Sequence, residues 1–247
     1  MASTLPQGTK RKAEQLNFRK SMGSAMVDLY VGPRKEHFHV HKDLLCNKIP
    51  YFAKMFKGGF QEAITNSASF PEDVPGSFDI LITWVYHGKL RPLTMLKDNR
   101  NAMAWKVIAL YSLAEKLCVS ELMDDIMDAF RDFQQQNDTL PSCNFILTTY
   151  QKLDSNSPLR RYVCYCYTFV LLKETRDMNM MTSLLAKVPD LATDMAGLLR
   201  ETGGLYLSLR AFRIAIFILT IRIHFVLGSC RFGLERTGLR GVYGFIS

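Results

Sequence analysis

Most signatures of a catalytic or secreted chain are missing from this sequence. It has no glycine-rich phosphate loop, since Gly58-Gly59 lacks the strand–loop–lysine context that cradles a nucleotide. It has no C-x-x-C pair either. Cys164-x-Cys166 would send its two thiols to different faces of a helix, which suits neither dithiol redox chemistry nor half a zinc site. No Ser/His/Asp arrangement is suggested, and Glu72-Asp73 and Asp124-Asp125 are neighbours without a separate partner for acid–base work. His37, His39 and His41 alternate and could share one face of a strand, but no cysteine or carboxylate accompanies them at ligand spacing along the chain. They read as the edge of a structural hairpin. Neither an enzyme, a metal nor a cofactor is expected.

Lysine, aspartate, asparagine, glutamine and proline are all absent from residues 204–247, which carry six arginines and one acid. The run from Arg213 to Leu227 is intensely apolar, yet Arg213 and Arg222 enclose only eight residues. A spanning helix needs about 18–20 apolar residues, so a membrane is not the expected partner. A short buried helix or strand, or a tail foreign to the fold, are the other readings. No signal peptide is expected at the N-terminus. The six cysteines lie scattered through helical and apolar patterns, as expected of reduced intracellular thiols.

What is present is a globular composition, 48% hydrophobic and 22% charged over 247 residues, enough for one large domain or two small ones. The formal charge of +8 suggests nucleic acid until it is located. Residues 1–24 contribute +4 and residues 204–247 contribute +5, which leaves 25–203 at −1. A near-neutral middle between basic ends excludes a broad nucleic-acid surface. Residues 1–24, centred on Lys10-Arg11-Lys12, read as a basic arm, either a solvated tail or a nuclear-import signal. Leu16, Phe18 and Met22 leave room for a short helix within it.

The organising stretch is Asp28–Glu62. Val27, Leu29 and Val31 alternate, Phe38 and Val40 alternate, and Gly32-Pro33 between them signals a turn, so a hairpin is predicted. Helical spacing follows at Leu44, Leu45, Ile49, Phe52, Met55 and Phe56, ending in Gly58-Gly59. Ala68–Phe70 reads as a third strand. Ser77 is placed to cap a helix bearing Phe78, Leu81, Ile82 and Val85, which Gly88 ends. Residues 91–104 are a polar connection. Two helices are then predicted, one with Val107, Leu110, Tyr111, Ala114 and Leu117 inward. The other, opened by Ser120-Glu121, has Leu122, Ile126, Ala129, Phe130 and Phe133 inward and Asp124, Asp125, Asp128 and Asp132 outward.

Asn137–Pro141 marks a boundary, with Pro141 at a first helical position. Further helices are predicted over 143–153, after a Ser157-Pro158 cap with Leu159, Val163, Cys166, Tyr167 and Val170 inward, and over 174–202 with a break at Pro189.

The sequence D-x-x-V-G at 28–32, F-x-V-H-K-x-x-L at 38–45, Tyr51-Phe52, Phe60-Gln61-Glu62, F-P-E-D at 70–73 and W-V-Y-H-G-K-L at 84–90 resembles the BTB/POZ family over residues 24–135. Tyr150, Ser157, Leu159, Arg160 and Arg161 are similar to the helical extension of many BTB proteins of filamentous fungi. The resemblance implies an α+β fold, a small sheet with a helical cluster over 25–135, then a helical extension over 136–203. The activity it implies is protein–protein interaction, in the cytoplasm, the nucleus or both. Two surfaces come with it. An apolar residue, any residue, then glutamate is where BTB adaptors pack against a cullin, here Phe60 and Glu62. Phe60 sits either on an exposed bend or inward. Asp28 and Lys42 match a charged groove at the dimer interface of relatives with zinc fingers, to which Leu16, Phe18 and Met22 could add a helix. A plain exposed ion pair is the other reading. An adaptor to a cullin-RING ubiquitin ligase is therefore expected, with a dimerising or transcription-associated scaffold as the alternative. No kelch repeat, MATH domain or zinc finger is present to choose a substrate.

Overall fold

Alternation becomes pleat in the first strand. Met26–Val31 (β1) buries Val27, Leu29 and Val31 and turns Met26, Asp28 and Tyr30 outward. Glu36–His41 (β2) pairs with it antiparallel, Val27 opposite Val40 and Asp28 opposite His39. Ser67–Phe70 (β3) adds on the other side in parallel, giving the order β2-β1-β3. This is a computed structural model, and it describes residues 22–96, 103–172 and 178–201. Leu16, Phe18 and the whole apolar tail lie outside the described residues. At the hairpin turn Gly32 has a φ of +75°, and an added Cβ would meet the Pro75 ring at 3.0 Å. Glycine is required there.

The hairpin leads into Lys42–Lys48 (α1) and Pro50–Lys57 (α2). Ile49 closes the first helix, and Pro50 stands at the first position of the second, where its missing N–H costs nothing. Gln61–Thr65 (α3) is a short turn of helix that returns the chain to β3. Pro75–His87 (α4) ends at Gly88, whose φ is +67° and whose N–H donates to the Trp84 carbonyl at 2.8 Å. Ser77 is not its cap. The helix starts two residues earlier because Pro75 is already preset for it, and Ser77 is buried in the first turn.

The core lies between the inner sheet face and these helices. Phe70 packs on Phe52 at 6.0 Å and on Phe78 at 5.0 Å between ring centroids. Phe52, Phe78, Leu29, Leu45, Leu81 and Trp84 are fully buried. Each such side chain contributes roughly 1.5–3 kcal/mol of burial.

Val107–Lys116 (α5) and Ser120–Gln136 (α6) bury the predicted stripes, except Ala129, which is only half-buried. Asp125 is not a purely outward acid. It is partly buried and accepts the Trp84 indole N–H at 2.7 Å.

Phe130 of α6 then stacks on Phe145 at 4.7 Å and meets Tyr162 edge-on at 6.2 Å, which docks the next two helices. Cys143–Lys152 (α7) starts two residues after Pro141. The capping is done by Ser142, whose hydroxyl accepts the Phe145 N–H at 3.2 Å. Pro158–Leu171 (α8) follows Ser157, but the Ser157 hydroxyl makes no cap bond. α8 is buried on nearly every side from Leu159 to Phe169, as a central helix should be. Met178–Lys187 (α9) and Pro189–Glu201 (α10) complete the described chain, Pro189 opening the second of them.

Candidate functional site: an apolar bend and a polar sheet face

The bend between α2 and α3 is shaped by two glycines. Gly58 closes α2 with its N–H on the Lys54 carbonyl at 3.1 Å. A Cβ on Gly58 would lie 2.4 Å from that same oxygen and 3.1 Å from the Phe60 ring, whereas one on Gly59 would meet nothing. The tight closure throws Phe60 outward. It sits just before the first turn of α3, accepts the Ala63 N–H on its carbonyl at 3.0 Å, and is 60% exposed. Of the two orientations open in the sequence, the outward one is found. Ile64, one turn later, is 76% exposed, and Glu62 between them is half-buried. Among the described residues these are the two most exposed large apolar side chains.

Sequence reading did not find Ile64. The signal available was the i, i+4 spacing from Phe60, on a helix too short to show periodicity.

On the outer sheet face, Asp28 Oδ1 stands 2.6 Å from His37 Nε2 and 2.8 Å from His39 Nδ1. These two contacts, His37 first, hold the Asp28 carboxyl below its ordinary range. The His37 ring also stacks on Tyr30, 5.0 Å between centroids. His41 does not join them. It turns to Tyr86, whose hydroxyl lies 2.7 Å from its Nδ1 and accepts its backbone N–H at 3.1 Å. The carboxylate missing from the local sequence is supplied across the hairpin.

Asp28 and Lys42 do not pair as a simple surface bridge. Lys42 Nζ donates to the Asn66 side-chain oxygen at 2.7 Å, while the Asn66 backbone carbonyl accepts the Asp28 N–H at 2.9 Å. Asn66, held at a φ of +50°, thus contacts both residues. Met22 is half-buried beside Gly23, whose own position is closed in by the Asp43 carboxylate.

The helices beyond α6 carry their own polar core. Arg160, buried within α8, donates to Asp194 at 3.0 Å and Asp190 at 3.3 Å, with its guanidinium 4.2 Å from the Tyr150 ring centroid. Tyr150 donates to the same Asp194 at 2.9 Å. Tyr150 and Arg160, two of the residues that carried the second resemblance, therefore fasten α7, α8 and α10 together. Cys164 and Cys166 are both buried, and burial pushes their thiols up to about 11 and about 12. Thiols so protonated are poor nucleophiles.

Among the described residues, no helix is long and apolar enough to cross a membrane. Residues 18–134 match the family model of the BTB/POZ domain, and the three-stranded sheet with α1–α6 has that fold. BTB/POZ domains are protein-interaction modules. Compared with curated proteins, the chain finds no match.

Proposed function

Starting from a BTB/POZ domain at residues 18–134, we propose that the protein is an adaptor that presents a partner to a cullin-RING ubiquitin ligase. The observation that carries this reading is the adjacent pair of exposed apolar side chains, Phe60 and Ile64, with Glu62 on the same bend. An aromatic anchor beside an aliphatic one suits the centre of an interface. Glu62 offers a carboxylate to a basic group on the partner and adds orientation. Residues 25–135 would form the docking domain. The helices over 136–203, of the fungal type, and the basic ends would be left to hold the target. Residues 204–247 are read as dispensable for folding.

The same reading has the protein working as a homodimer in the cytoplasm or nucleus, without contacting nucleic acid directly. Asp28 and Lys42 would line a groove at the dimer interface, with Leu16, Phe18 and Met22 near it. The exposure of Asp28, His37 and His39 supports an available face on that side of the sheet.

The test is direct. Purified full-length chain is titrated with the N-terminal domain of a cullin, and its mass is measured by light scattering with and without that domain. Saturable binding to a dimer supports the adaptor. A dimer that ignores the cullin sinks it and leaves the scaffold reading, and a monomer at tens of micromolar removes the dimer from both.

A further inference from the structure

We propose that Asp28, His37 and His39 form a binding site for one zinc ion on the outer face of the sheet. β2 places His37 and His39 two residues apart, so both imidazoles leave the same side of the strand. The antiparallel register sets Asp28 directly opposite His39 and one pair from His37. One donor atom from each of the three residues lies within 4.8 Å of the others, and Asp28 Oδ1 is 2.6 Å from His37 Nε2 and 2.8 Å from His39 Nδ1. Zinc bonds of about 2.0–2.1 Å in a tetrahedron require donors about 3.3 Å apart. From contacts of 2.6 and 2.8 Å, the two imidazole nitrogens would each move roughly half an ångström or more away from the Asp28 oxygen to reach that spacing.

The donor set selects the metal. Two imidazoles and one carboxylate suit a borderline ion, whereas magnesium and calcium prefer oxygen ligands throughout. Three protein ligands leave a position open, and all three side chains are partly exposed, so water reaches it. The ring of Tyr30 against His37 holds one ligand in place before any ion arrives.

In the ion-free state both imidazoles turn a ring nitrogen to the Asp28 carboxylate, and each such contact is a hydrogen bond with the N–H as donor. Zinc takes the lone pair of those same nitrogens. In a neutral ring the proton therefore moves to the other nitrogen, and a charged ring releases one proton to solvent. The carboxylate stays ionised throughout and offsets part of the ion's charge. No oxidant or further reactant is involved.

The site lies apart from the Phe60–Ile64 bend but shares Asp28 with the proposed dimer groove, so zinc binding is read by calorimetry while cullin binding and the mass of the chain are read by their own measurements. Full-length chain, stripped with a chelator and kept reduced, is titrated with zinc chloride by calorimetry. Cobalt(II) is titrated in parallel for its visible spectrum. The expected result is one ion per chain at micromolar affinity, and a cobalt spectrum without thiolate charge-transfer bands. His37→Ala, His39→Ala and Asp28→Asn should each weaken zinc at least about tenfold. All three positions lie on the outer face, so circular dichroism should be unchanged. Imidazole resonances of His37 and His39 should shift on zinc addition, and those of His41 and His87 should not. Zinc affinity unchanged in the His37→Ala/His39→Ala double variant, thiolate bands with cobalt, or no binding at a hundredfold excess over the chain would each overturn the site.

Discussion

The Trp84 indole N–H donates to the Asp125 carboxylate at 2.7 Å and so ties α4 to α6 across the middle of the BTB/POZ domain. Trp84 is fully buried, and Lys48 lies over its ring at 4.2 Å while binding Glu121 at 2.8 Å. Removing the acceptor leaves a buried N–H unsatisfied, a loss of about 1–3 kcal/mol. Asp125→Ala should therefore lower the urea midpoint by that equivalent. Asp125→Asn keeps a carbonyl acceptor and should lose less than about 1 kcal/mol. Equal losses in the two variants would mean that the charge, not the hydrogen bond, matters.

Gly58 and Gly59 look alike in the sequence and should behave differently when replaced. Alanine at Gly58 meets the Lys54 carbonyl at 2.4 Å, so either the end of α2 or the bend must move. Overpacking of this kind typically costs about 1–3 kcal/mol. Alanine at Gly59 meets nothing and restricts the unfolded chain, for a gain of up to about 1 kcal/mol. Thermal melts of the two variants give the signs. A destabilised Gly59→Ala with an unaffected Gly58→Ala would reverse the assignment of the tight turn.

Much of this fold was legible because its signals are local. Val27, Leu29 and Val31 alternate into one buried face, and the stripe from Val107 to Leu117 is buried as its spacing predicts. Where the sequence misled, two local rules competed. Ser77 has the right chemistry for a cap, but Pro75 starts the helix earlier, and Pro141 lost its place to the hydroxyl of Ser142. What could not be read were relationships set by register and packing. Asp28 meets His37 and His39 only once the hairpin pairs, and Asp125 finds Trp84 41 residues away. At the bend, sequence named Phe60 and Glu62 but left the direction of Phe60 open. That direction depends on how tightly Gly58 closes α2.

Glu115 on α5 is partly buried, and burial raises its carboxyl above the ordinary value of 4.5. The Ser157 hydroxyl nearby forms no well-shaped hydrogen bond and offsets only part of this. The sign follows from linkage. Below pH 4.5 the carboxyl is protonated in both folded and unfolded chains and carries no penalty. As pH rises, the unfolded chain ionises first, and the folded state loses stability until the raised value is passed. Glu115→Gln should therefore stabilise the protein at neutral pH, and the advantage should vanish below about pH 4. The gain is small because solvent still screens the group. Urea midpoints at four or five pH values check it, and a variant less stable than wild type at pH 7 would contradict the burial argument.

The exposed bend separates binding from stability. Phe60 and Ile64 are 60% and 76% exposed, so truncating either removes little burial. Phe60→Ala and Ile64→Ala should each leave the melting temperature within a degree or two, a change well below the ~3–5 kcal/mol typical of a buried Phe. If the bend is the docking anchor, Phe60→Ala should cost about 2 kcal/mol or more of affinity for the cullin domain. Ile64→Ala should cost less, having the smaller side chain. Glu62→Lys should slow association and make it less sensitive to salt, because a charge at the edge of an interface acts mainly on encounter. Binding isotherms and association rates at two ionic strengths, measured beside the melts, distinguish these effects. Lost affinity at unchanged melting places the contact on this bend. Full affinity in the Phe60→Ala/Ile64→Ala double variant would move the partner to another surface.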